Sequence, residues 1–196
     1  MTRILIIAGD FTSSGQLQYS YYRMKEEDFD VTIAALEKKR LNTVIDMREE
    51  GWDLDTERRG YSFDSDMTFA EVDPTTFDAL ILPGWRAIEY LRNNERCVDI
   101  VRHFVEANKP IAAIDQAPRL LIAAGVRGRR MTGIEMIKIE IARANTYVDA
   151  GSEPVVDRNI LTVSRRPYYD VWMREFMSML KERRLAGVPP SCVLRP

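Results

Sequence analysis

Reactive side chains are scarce in this chain. Its 196 residues include two cysteines, Cys97 and Cys192, and a single histidine, His103. The cysteines lie far apart with no CxxC pair, which excludes a disulfide framework, and without a His/Cys cluster no metal site is expected. A Ser-His-Asp or Cys-His triad also lacks its base, because His103 falls in the helix-like run Val101-Arg102-His103-Phe104-Val105 and reads as a structural residue. Charge of one sign is missing too: 28 Lys and Arg face 30 Asp and Glu, for a net charge of −2. Such a balance gives no electrostatic reason to expect a nucleic-acid partner. No apolar run approaches the roughly eighteen residues of a membrane span, so no membrane partner is expected. Met1-Thr2-Arg3 leads directly into a strand-like run, which is no signal peptide, and a cytoplasmic protein is the default. Gly9 and Gly15 are too sparse for a phosphate loop, so no nucleotide or other cofactor is expected.

What is present is an ordered series of buried strand and amphipathic helix patterns. The length suits one α/β domain over 1–184, with a tail over 185–196 that holds Gly187 and two prolines. Arg3–Gly9 reads as a buried strand, Leu17–Glu27 as an amphipathic helix and Asp30–Leu36 as a second strand, which together make a βαβ unit. Residues 37–66 are polar, with Gly51 and Gly60 as breakers, and read as an irregular hairpin excursion. Ala79–Pro83 is the next buried strand, and a helix is predicted over 87–107. Shorter strands are expected at Met131-Thr132, Thr146–Val148 and Asn159–Ser164, with a helix over 133–144 between the first two and a last helix over 169–184.

The most informative stretch runs from Lys109 to Gly125. The apolar run Ile111-Ala112-Ala113-Ile114 passes without a spacer into a helical run ending at Gly125, the pattern of a buried parallel strand turning sharply into a helix. Asp115 at that turn stands at the carboxyl end of a strand, where open α/β sheets place their ligands. A carboxylate between two apolar runs is costly unless paired, hydrogen-bonded or functional. Two readings stay open at this point: an N-cap for the following helix, or a functional carboxylate.

Ala113-Ile114-Asp115-Gln116-Ala117-Pro118-Arg119-Leu120-Leu121 resembles the nucleophile elbow of the ThiJ/PfpI family, which usually reads A-I-C-H-G-P-Q-L-L. Matches follow in order along most of the chain. Arg3–Phe11 resembles the family's first strand and loop, Pro83-Gly84-Trp85-Arg86-Ala87-Ile88-Glu89 its P-G-G-R-A-P-E motif, and Trp172–Phe176 its closing helix. The resemblance implies a flavodoxin-like three-layer α/β sandwich, with a mostly parallel sheet and helices on both faces. It also implies a homo-oligomer whose subunits share surfaces near Glu89 and the elbow.

The resemblance departs from the family pattern at the residues that carry its chemistry. Asp115 stands for the cysteine, Gln116 for the histidine and Ala117 for the glycine. The cysteine's glutamate partner, from a loop reading D-F-x-E-D-x-E, falls on Ser13 or Thr12. Asp115 with Ser13 keeps one carboxylate beside a neutral donor, which avoids the repulsion of two carboxylates. These residues are the candidate catalytic pair. Gln116, Gly84, Trp85, Glu89, Arg165, Tyr168 and Tyr169 are candidates for binding a small-molecule substrate. The Trp85 amide would serve an oxyanion, provided its φ is negative. Bland alternatives stand beside several of these: a dipole-stabilised glutamate at Glu89, and a solvated turn at 165–170.

The residues therefore point to an enzyme that uses Asp115, without cysteine, for hydration, elimination or isomerisation of a small carbonyl-bearing or aromatic metabolite, in specialised metabolism. On that view the family's protease, deglycase and glyoxalase activities are absent. A second class of reading is a catalytically inactive member that binds a metabolite or a protein partner.

Overall fold

In the computed structural model, residues 1–164 and 168–185 are described. The elements run, in chain order, β1 (Arg3–Ile7), α1 (Ser14–Lys25), β2 (Asp30–Ala35), β3 (Arg40–Met47), β4 (Thr56–Asp64), β5 (Met67–Thr68) and β6 (Ala79–Leu82). They continue with α2 (Ala87–Leu91), α3 (Glu95–Glu106), β7 (Ile111–Ile114), α4 (Pro118–Ala123), β8 (Arg130–Met131), α5 (Lys138–Ala144), β9 (Thr146–Tyr147), β10 (Val155–Asp157), β11 (Ile160–Val163) and α6 (Tyr169–Leu185).

One sheet, ordered β10-β11-β7-β6-β1-β2-β5, organises the chain. Every pairing in it is parallel except β10 with β11 at one edge. Its central strands are apolar on both faces because both faces are covered. Ile4 and Ile6 point into a cluster with Leu17 and Met24 of α1 and Trp172 and Phe176 of α6. Their neighbours Leu5 and Ile7 point the other way, into a cluster with α3 and α4. The period-2 geometry of a strand thus fills two layers from one run. The expected flavodoxin-like sandwich is what the structure shows.

Three predicted elements differ in detail. The helix expected over 87–107 is broken into α2 and α3, because Asn94 adopts extended backbone and its side chain accepts from the Cys97 N–H at 2.9 Å. That is an N-cap, and it starts a new helix on a new axis. The hairpin excursion expected over 37–66 is more regular than its polar sequence suggests: β3 and β4 form an antiparallel ladder with one register shift between Asn42 and Val44. The helix expected over 133–144 begins as a 3-10 turn at Glu135–Ile137 before α5. The last helix reaches Leu185, and the rest of the tail lies outside the described residues. Among the described residues, no helix is long and apolar enough to cross a membrane.

Asp157 anchors β8, and with it the loop that follows, onto the β10–β11 edge. It accepts from Arg129 Nε at 2.9 Å and from the Arg130 N–H at 2.7 Å. Burial alone would raise its carboxyl, but those two donors outweigh it and hold the group below the ordinary value of 3.8. Stability from this pair is therefore present at neutral pH and lost as pH falls through the lowered folded value. Asp157→Asn should cost about 1–3 kcal/mol at pH 7, because it weakens charge-assisted bonds to a largely buried guanidinium. In urea titrations the difference from wild type should shrink as pH drops from about 5 toward 3.

Candidate active site

Three loops leave the carboxyl ends of β1, β6 and β7, and each carries a non-glycine residue in the left-handed region. Phe11 has φ of 65°, Trp85 of 79° and Asp115 of 63°. Each such residue costs on the order of 1–3 kcal/mol, and such strain gathers at functional sites. The other non-glycine residues of positive φ among those described, Asp28, Asn108 and Arg158, lie elsewhere, just before β2, before β7 and between β10 and β11.

Asp115 sits on a sharp turn. Its N–H continues the sheet by donating to Val163 O at 3.1 Å, and the Ala117 N–H closes back on Ile114 O at 3.0 Å. The N-cap reading fails: α4 begins at Pro118 after Ala117, and no side chain caps it. The Asp115 side chain turns instead to Gln16, on the first turn of α1, whose Nε2 donates to Oδ2 at 3.2 Å. Gln16 Oε1 accepts from the Gly84 N–H at 2.5 Å. With its oxygen committed there, the amide has only its nitrogen to offer Asp115, so the acceptor it meets is a carboxylate oxygen. Both side chains are buried, at 2% and 1% exposure.

The expected partner, Ser13, is therefore corrected to Gln16. The Ser13 N–H donates to Gly84 O, and its hydroxyl, fully buried, makes no hydrogen bond among the described residues. Gln16 stands at the last position of the loop pattern D-F-x-E-D-x-E, where the family also carries a glutamate; that was the signal in the sequence. Gly84 is required for space: an added Cβ would lie 2.5 Å from Ile114 O and 2.8 Å from Asp115 Cβ.

Trp85 departs from expectation. Its φ is positive, so the condition set for its amide as an oxyanion donor is not met. Its indole is buried, and Nε1 donates to Glu57 Oε2 on β4 at 2.7 Å, so the ring is held by the hairpin instead of standing free for a flat substrate. Arg86 reaches the other oxygen of Glu57 at 2.8 Å. Gln116 is buried, and its Oε1 accepts from Arg119 at 2.8 Å, while Arg119 forks onto Glu140 of α5. Arg119, Glu140 and Glu57 were not singled out from sequence; only the helical spacing of 116 and 119 hinted at the first.

The remaining candidates lie apart from this core. Glu89 is half exposed and ion-paired with Arg86 at 3.7 Å. Tyr169 packs its ring against Gly15 and Tyr19, beside α1, and Tyr168 packs against the same apolar layer. Arg165 lies outside the described residues. Cys97 is buried in the core and its thiol is pushed up to about 12, far from a thiolate. His103 sits on α3 with its ring edge-on to Phe104, and burial lowers its pKa, as expected of a structural residue. No group of three His, Cys, Asp or Glu among the described residues could hold a metal.

A buried acidic side chain on a strained strand-to-helix turn, at the carboxyl edge of a mostly parallel sheet, defines an α/β protein of the nucleophile-elbow class. Comparison narrows the class. A profile of the DJ-1/PfpI family matches residues 2–179, and the chain belongs to that family. It is 40% identical over 183 residues to a deglycase of Pyrococcus abyssi, covering 91% of this chain and 99% of the relative. It is 38% identical over 181 residues to the deglycase PfpI of Pyrococcus furiosus, with the same coverage. The fold matches Drosophila melanogaster DJ-1beta with a TM-score of 0.73 at 23% identity, covering 97% of this chain and 93% of that one.

These relatives overturn the exclusion of deglycase activity drawn from the elbow residues, and with it the lean toward a lyase, hydratase or isomerase. The binding-only alternative gains nothing from them. The physical reason is that an elbow supplies a position and a field, and the side chain at its tip does not by itself fix the reaction.

Two substitutions test this geometry. Gln16→Glu would set two carboxylates against each other, and one would hold a proton. A carboxyl raised in the folded state favours folding only while protonated, so the variant's melting temperature, unlike the wild type's, should fall as pH rises from about 5 to 7. Glu57→Leu should release Trp85. In a Trp52→Phe background its emission should move to longer wavelength and acrylamide quenching should increase; unchanged quenching would show that Glu57 does not hold the ring.

Proposed function

We propose that this chain is a deglycase-type enzyme, freeing an amine from a small carbonyl adduct, with Asp115 as the proton-transferring group. The observation that carries the reading is the Gln16–Asp115 contact. It presents a buried acceptor at the elbow, in a fixed orientation, in a chain whose relatives carry the name deglycase.

The chemistry required is modest. In a carbinolamine adduct, Asp115 takes the proton of the hydroxyl, the C=O bond forms and the C–N bond breaks. The departing nitrogen takes up the proton that Asp115 holds, which restores the carboxylate. Gln16 keeps the acceptor in place through this cycle and cannot itself exchange protons near neutral pH. Gln116, held by the Arg119–Glu140 fork, is the hydrogen-bonding group beside the elbow. The wider reading is of a cytoplasmic enzyme, working as a homo-oligomer on small-molecule adducts.

The test is amine release from Nα-acetyl-lysine pre-treated with methylglyoxal, followed by an amine-specific fluorogenic reagent. Wild type should accelerate release. Asp115→Asn, which keeps size and shape, should lose about 100-fold or more of that rate. Its melting temperature should stay within a few degrees of wild type. Full activity in the asparagine variant would remove Asp115 from the mechanism, and no wild-type activity would remove the deglycase reading.

A further inference from the structure

Among the described residues, a cleft on the far side of the elbow carries more negative charge than its own ion pairs use. It measures about 370 Å3 and lies between the tip of the β3–β4 hairpin and the loops that follow β8, β9 and β11. It adjoins the elbow through Gly133, where an added Cβ would lie 2.9 Å from Asp115 O, and through the Ile134 N–H, which donates to that oxygen at 3.1 Å.

Of its basic groups, Arg48 is taken by Asp55 at 3.4 Å. Lys138 pairs with no carboxylate among the described residues and lies over the Tyr147 ring, 5.4 Å from its centroid. Asp53, Glu135 and Asp149 also line the cleft and make no ion pair among the described residues. Asp149 and Glu135 both act on Tyr147, whose phenol is pushed up by burial first and then by their charge. An independent feature lies on the same wall. Thr132 is buried, and its hydroxyl lies near the Tyr147 phenol without forming a hydrogen bond of normal geometry.

These features select a ligand. Among the described residues Asp53, Asp55, Glu135 and Asp149 outnumber Arg48 and Lys138 in this cleft, and such an excess draws positive charge and concentrates it. A metal ion is not indicated, since among the described residues no three acidic, His or Cys groups converge tightly enough to hold one. An organic cation needs no such convergence: it takes carboxylates at several points and stacks on an aromatic face. Lys138 lies over that face, and a ligand's ammonium would take its place there only as the Lys138 side chain swings aside. An ammonium or guanidinium also brings several N–H donors, and a threonine hydroxyl without a partner can accept one.

We propose that this cleft holds the amine portion of the adduct, and that the enzyme selects adducts of amines bearing a second, unmodified cationic group. The assignment rests on the deglycase reading for the identity of the reacting portion; the preference for a cation rests on the cleft alone.

The test is calorimetric titration of the full chain, at low salt, with two isosteric probes: Nα-acetyl-lysine methylamide and the methylamide of Nα-acetyl-2-aminoheptanoic acid, in which a methyl replaces the ammonium. The lysine probe should bind about tenfold or more tighter, with affinity falling as salt is added. A Glu135→Gln/Asp149→Asn double variant, both sites being exposed, should fold normally and lose that discrimination, and Asp53→Asn should lose part of it. Equal binding of the probes, no binding of either at millimolar concentration, or unchanged discrimination in the double variant would each overturn the assignment. Cation preference without adduct breakdown supports the cleft and removes only the deglycase reading. Adduct breakdown with no preference among amines does the reverse.

Discussion

The site depends on which way one side-chain amide points. Gln16 has an oxygen that can only accept and a nitrogen that can only donate, and the Gly84 N–H claims the oxygen. The nitrogen is then left for Asp115. One residue at the start of α1 thereby reads the backbone after β6 and the side chain after β7 together. Positive φ at Trp85 and Asp115 persists because this contact, the Glu57 bonds and the close approach of Gly84 to the elbow all constrain the same few atoms. Strain of this size is stable only when several contacts oppose its release.

The rest of the architecture supplies rigidity around that amide. The central strands are buried on both faces, so the ends from which the three loops spring are held by the densest part of the molecule. The β3–β4 hairpin then adds a wall. The Val44 N–H donates to Thr12 O, the Phe11 N–H to Asn42 O, and Ser14 Oγ accepts from the Tyr61 N–H, so the excursion is bonded to the loop after β1 at several points. On the other flank, Glu140 gathers Arg92 and Arg119. Burial would raise its carboxyl, but the two guanidiniums hold it below the ordinary range.

Sequence was a good guide where apolar patterning decides structure. The strands β1, β6 and β7 and the turn at Asp115 were legible because a buried strand has to be apolar and the change of pattern at residue 115 is abrupt. The hairpin was legible only as an irregular excursion without strand bounds, because every residue of β4 is at least partly exposed and no apolar alternation marks it. The break at Asn94 depended on one side chain choosing a cap over a helical backbone, and the surrounding residues are good helix formers either way. At the site, the reading chose between Ser13 and Thr12 and passed over Gln16, because the loop pattern holds more than one glutamate. Only the position where α1 begins shows which one turns inward. Trp85 was legible as a replacement for glycine, but not the Glu57 contact that holds it, since pairing across 28 residues leaves no local trace. The exclusion of deglycase chemistry came from side-chain identities alone, and it is overturned by relatives that carry the name deglycase.

The contact between Gln16 and Asp115 spans 99 positions in the chain, and that between Gln16 and Gly84 spans 68. Contacts so distant in sequence form only after intervening strands have paired, because the entropy of closing such loops must be met first. The parallel sheet is therefore the template on which the site assembles, and the site is among the last features to be completed. The reverse also follows. Fraying the first turn of α1 would withdraw Gln16 and free the elbow while the sheet stayed intact, an opening that demands far less free energy than global unfolding. Measurements of overall stability would be blind to it. Amide exchange at the start of α1 is where the working lifetime of this site would be read.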